Sequence, residues 1–127
     1  MPEERKYDLE DRTIQFGSKL IRFVDRMPST IAGKHLAGQL LRSGTAPALH
    51  YGEAQSAESR RDFIHKMKVA LKELRESRAN MRMIELSGMM PMDSDQRELF
   101  NECNELILIL SRSVRTVEEN DQRIKRP

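Results

Sequence analysis

Apolar residues recur along this chain at the three- and four-residue steps of an α-helix, in four separate stretches. The third is the clearest. Phe63, Met67, Ala70, Leu74, Ser77, Met81 and Ile84 fall on one face, Ser56 or Ser59 can cap its start, and Gly88 suits a C-terminal cap. The pattern predicts a helix over residues 59–87. The first stretch places Leu9, Thr13, Phe16, Leu20, Phe23 and Met27 on a seam, which Ile14, Ile21 and Val24 widen. Asp8 is a suitable N-cap and Pro28 a stop, so the first helix is expected over 8–27. The fourth carries Leu99, Cys103, Leu106, Leu110, Ser113 and Val117, and starts at Asp93 or Ser94. It is expected over 94–119, with the termini outside it loose.

The second stretch, 31–55, is less regular. Ser29 or Thr30 can cap it, and Leu36, Leu40 and Leu41 open it, but Gly44 and Pro47 then interrupt a helical pattern. Proline removes a backbone donor and crowds the preceding turn, so a kink near 43–47 is expected, or a break into two helices. Four helices joined by short loops make one domain, an all-α, up-down-up-down antiparallel four-helix bundle with a kinked second helix. One run does not suit a lone bundle. Leu106, Ile107, Leu108, Ile109 and Leu110 are apolar around a full turn, which predicts burial against another subunit. Leu106, Ile107, Leu108 and Ile109, with Tyr51, are therefore the candidate oligomer interface.

Composition supports the helical reading, with few Gly and Pro and no Trp. Charge changes the picture more. The chain has 22 Lys and Arg against 20 Asp and Glu, a net charge of +2. Residues 59–82 alone hold eight Lys and Arg against three acids, so positive charge is concentrated on the third helix. Arg61, His65, Lys68, Lys72, Arg75 and Arg82 share a face there, with Arg78 beside it. These seven residues are the candidate nucleic-acid contacts. Glu73 and Glu76 lie close enough in sequence to neutralise part of that ridge, which would leave it a solvated face. Copies of the ridge around an assembly would strengthen phosphate binding. The few aromatics mostly sit on seams, so contact is expected with backbone phosphates and not by base stacking.

Other chemistries find little support. A di-metal bundle needs two Glu-x-x-His pairs, and the chain offers only Asp62-x-x-His65, so no metal or cofactor is expected. His35, His50 and His65 lack a partnered nucleophile at a legible spacing, and no glycine-rich phosphate loop is present, so no enzyme activity is expected. His50 and Tyr51, just past the expected kink, read as a packed tyrosine beside a surface or subunit-contact histidine, or as a small polar site. Cys103 is alone, which excludes an internal disulfide. The charged N-terminus does not read as a signal peptide, and no apolar run approaches a membrane span, so a cytoplasmic protein is expected.

Several short segments carry a likeness to a known family. They are QLLRSGT from Gln39 to Thr45, APALHY from Ala46 to Tyr51, EAQ from Glu53, ES from Glu58, DFIHK from Asp62 to Lys66, and ALKELRESR from Ala70 to Arg78. Together they resemble the four-helix-bundle family of 23S rRNA intervening-sequence proteins, most specifically between Gln39 and Arg78. That family is similar to the accessory variability determinant proteins of diversity-generating retroelements. The resemblance implies a ring-like homopentamer with a basic surface and an association with nucleic acid, RNA more than DNA. In the retroelement relatives it extends to a reverse transcriptase. Two places depart from the family pattern: His50 stands where Asn usually precedes the tyrosine, and Ala79 and Asn80 stand where aromatics often follow. The expected function is a non-enzymatic, homo-oligomeric nucleic-acid-binding protein. The rival is a protein-interaction adaptor, such as an accessory subunit of a reverse transcriptase or a ribosome-associated factor.

Overall fold

The computed structural model describes residues 2–125. It contains four helices: α1 over Pro2–Asp25, α2 over Ile31–Gln55, α3 over Arg60–Ser87 and α4 over Ser94–Lys125. Among the described residues there is no strand. Each helix packs on its sequence neighbours, and α4 closes the bundle against α1. The antiparallel, up-and-down order follows from the short loops.

The inner boundaries are set by local chemistry. Thr30 caps α2 by accepting from the Gly33 amide at 3.0 Å, and Ser59 caps α3 by accepting from the Asp62 amide at 3.0 Å. Gly88 ends α3 in the left-handed region at φ 69°, where a side chain would be strained. Asp93 caps α4 through the Gln96 amide at 2.9 Å. That bond is the main cause holding the Asp93 carboxyl below its ordinary value, and Arg26 adds to it. At the end of α1, Arg26 and Met27 bond three residues back, to Phe23 and Val24, so the chain tightens before Pro28.

The outer ends differ from expectation. α1 begins at Pro2, because Pro2-Glu3-Glu4 is itself a helix-start sequence. α4 runs on to Lys125, since nothing in residues 120–125 breaks a helix and Asp121 lies 3.7 Å from Arg60 of α3. The second helix does not break: α2 is continuous through Pro47. Its small residues let neighbours come close. A methyl group on Gly44 would overlap the Leu20 side chain of α1. On the α3 side, the buried Ser43 and Ser77 hydroxyls pair at 2.9 Å, and Ser77 also donates to the Glu73 carbonyl.

The core follows the four seams. Met67, Ala70, Leu74, Ser77, Met81 and Ile84 are all buried, and Phe63 is half-buried. The apolar turn on α4 has a different place from the one expected. Leu106 and Ile107 are buried inside the protomer, as is Tyr51 on α2, and Ile109 is half-buried. Because α4 sits in a corner between α1 and α3, its buried arc is wide enough to take all but Leu108, which is 50% exposed. The run therefore does not form an external patch. Ile14 and Ile21, expected to widen the inner face of α1, instead reach solvent at 52% and 46% exposure.

Candidate nucleic-acid interface

The outer face of α3 sorts the seven candidate residues into three groups. Arg61, His65, Lys72 and Arg75 are exposed and make no ion pair among the described residues. Lys68 bonds Glu118 of α4 at 3.1 Å, and Arg82 bonds Glu85 one turn on at 2.6 Å. Arg78 is half-buried and donates to the neutral Asn104 side chain at 3.3 Å, so its charge is not balanced there. Four uncompensated full charges, Arg61, Lys72, Arg75 and Arg78, thus lie along α3. From Arg61 to Arg75 the row is about 21 Å long at the helical rise.

The two acids able to neutralise the row are occupied elsewhere. Arg42 of α2 bonds Glu73 at 3.1 Å and Glu76 at 3.0 Å, on the flank of α3 away from α4. The two carboxylates raise the Arg42 pKa, with the Glu76 hydrogen bond the largest cause. Arg42 and Glu73 lie 31 residues apart, so no local spacing in the sequence signals the clamp. On the same flank Lys66 pairs with Glu53 at 2.9 Å.

α4 extends the face. The Lys68–Glu118 and Arg78–Asn104 contacts fix the antiparallel register of α3 and α4. That register sets Arg115, three residues before Glu118 and exposed, beside the Lys68-to-Arg75 segment, and among the described residues it makes no ion pair. It was not among the candidates from sequence. Arg112 lies two turns from Glu105, which bonds Arg12 of α1, and so stands off this face.

The remaining candidate groups give no reactive constellation. His50 Nδ1 lies 4.0 Å from Glu53, which is itself held by Lys66. Tyr51 is 4% exposed, and burial, with the charge of Glu10 second, raises its phenol pKa. Burial pushes the Cys103 thiol up to about 12, and its sulfur donates to the Leu74 carbonyl at 3.2 Å. Among the described residues, no three His, Cys, Asp or Glu side chains are grouped to hold a metal ion, and no helix is long and apolar enough to cross a membrane. A recess of 420 Å³ lies between α1 and α4, spanned by Arg12–Glu102 and, toward one end, Arg26–Asp93. Phe16 and Phe23 line its floor but are each only 1% exposed, and the stems of Arg12, Lys19, Arg22 and Arg26 face Asp95, Glu98 and Glu102 across it.

The fold and its surface define a helical-bundle protein with a cationic two-helix face. The model of the 23S rRNA-intervening sequence protein family matches residues 5–112, and the chain belongs to that family. Among solved structures it is similar to a protein of unknown function from the S23 ribosomal protein family of Bacteroides thetaiotaomicron. The two share 24% identity and a TM-score of 0.72, covering 84% of this chain and 97% of that one. That likeness shows the fold. A search of curated proteins found no match.

Proposed function

We propose that this protein is a non-enzymatic, homo-oligomeric binder of structured RNA that acts in the cytoplasm and engages phosphates through its α3–α4 face. One observation carries the reading. Glu73 and Glu76 are drawn off by Arg42, and this leaves Arg61, Lys72, Arg75 and Arg78 in an uncompensated row. Lysines and arginines without acid partners are the groups that release counterions when they meet a nucleic-acid backbone. The buried aromatic side chains Phe16, Phe23 and Tyr51 offer no stacking platform, which favours phosphate contact over base reading. The family's name is consistent with an RNA setting.

The test is binding of a labelled RNA hairpin by the wild type and by Lys72→Glu/Arg75→Glu/Arg115→Glu, with circular dichroism as a check on folding. All three positions are exposed, so the variant folds, and binding is lost. Binding that survives in the folded variant overturns the reading. A protein partner that stays bound in nuclease-treated lysate while RNA binding is absent would make the face an adaptor surface.

A further inference from the structure

At the end of the α3–α4 face nearest their loop, a recess of 410 Å³ lies between the two helices. Glu85 lines it from α3, Arg97, Phe100 and Asn101 from α4, and Met92 from the loop. It opens beside the cation row. Arg78 donates to Asn104, which follows Phe100 by one turn on α4. Glu85 stands ten residues after Arg75, about 15 Å at the helical rise. The volume is that of a small-molecule site.

The chemistry of this recess differs from that of the row. Phe16, Phe23 and Tyr51 are sealed in the core, but Phe100 is half-buried and lines the recess together with the Met92 thioether. The two walls carry opposite polarity. On α4, Arg97 is exposed and has no acid partner among the described residues, and the exposed Asn101 amide likewise makes no hydrogen bond among them. On α3, Arg82 donates to one Glu85 carboxylate oxygen at 2.6 Å and leaves the other open. A lone carboxylate on a phosphate-binding face repels RNA, whereas one balanced by its neighbour can remain there as an acceptor.

From these observations we infer that the recess takes one unpaired base of the bound RNA, guanine in preference to the others. Bases splayed out of loops and bulges stack on aromatic side chains, and Phe100 supplies that surface at the end of the row. Guanine offers acceptors at O6 and N7 on one edge, which suit the Arg97 guanidinium. It offers donors at N1 and N2 on another, which suit the open oxygen of Glu85. Adenine puts an amino donor where guanine has O6, against Arg97, and uracil has no amino group to give Glu85. The inference rests on the phosphate-binding reading above and adds to it a single base contact.

The test is fluorescence anisotropy with a labelled hairpin carrying one bulged nucleotide, G, A, C or U, and with the fully paired stem, at one fixed salt concentration. The wild type binds the bulged-G hairpin at least about tenfold more tightly than the bulged-U one. Glu85→Gln is the decisive variant. It removes an acid from the face and frees Arg82, so charge alone predicts tighter binding of every hairpin. A base site predicts the opposite sign for bulged G, whose affinity falls toward that of bulged U. Phe100→Leu and Arg97→Gln also lose the preference, with circular dichroism as a check on folding. Lys72→Ala/Arg75→Ala, in contrast, weakens all the hairpins by a similar factor and keeps the preference. Equal affinity for the four bulges, preference for a base other than guanine, or unchanged or tighter bulged-G binding by Glu85→Gln overturns the inference and leaves the phosphate contacts standing. Absence of any hairpin binding by the wild type at low salt overturns the phosphate reading itself, and this inference with it.

Discussion

Alanine at both Lys72 and Arg75 is expected to remove two of the proposed phosphate contacts while leaving every described ion pair intact, because neither residue makes one among the described residues. The α3–α4 face offers five cations without an acid partner among the described residues: Arg61, Lys72, Arg75, Arg78 and Arg115. If all five meet a duplex-like backbone, log affinity falls against log salt with a slope of about −4.5, and the double variant lowers its steepness to about −2.7. Between about 50 and 200 mM salt the wild type then loses roughly 500-fold in affinity and the variant roughly 40-fold. Fluorescence anisotropy of a labelled hairpin across a salt series reads both slopes directly. Lys68→Ala is the control. Lys68 already spends its charge on Glu118, so its removal changes the slope by clearly less than one unit. A double variant whose slope equals that of the wild type would refute the argument that unpaired cations mark the contact surface.

Arg42→Gln tests the clamp. Freeing Glu73 and Glu76 beside the row is expected to weaken hairpin binding about two- to tenfold at low salt without touching a contact residue, with unchanged helicity by circular dichroism. Gly44→Ala, which forces a methyl group against Leu20, is expected to cost about 1–3 kcal/mol and lower the melting temperature in thermal denaturation. Asp93 gives a pH dependence. Its carboxyl pKa is lower folded than unfolded, so the unfolded chain binds the extra proton and stability is lost as pH falls from the ordinary carboxylate range through the folded value. Thermal melts between neutral and acid pH should therefore show a smaller acid-side decline in Asp93→Ala than in the wild type.

The helical seams were legible because a 3.6-residue period is a local property. Met67, Leu74 and Ile84 are buried where their spacing puts them, and Thr30, Ser59 and Gly88 terminate helices through their own backbone geometry. Interhelical relations were not legible. A run such as Leu106 to Leu110 looks apolar all round until the neighbours of α4 are known, and only then is Leu108 separated from the rest. The ridge on α3 was visible as a row of cations, but its effective charge was not. That depends on which acids turn toward Arg42, and on the Arg115 that the fold brings alongside from α4.

The two edges of α1 are built from different materials, and this has a mechanical consequence. Toward α2 the helices pack closely, with the Gly17 backbone near Gly44 and Thr45 and the Leu20 side chain against Gly44. Toward α4 the contacts are fewer, and ion pairs from Arg12 and Arg26 span an open recess. Native-state amide exchange should therefore find the bundle opening as a book does, with its spine along α1–α2 and its covers parting at the α1–α4 seam. Dissolved salt loosens that seam first, because screening acts on exposed charge and not on packed glycine.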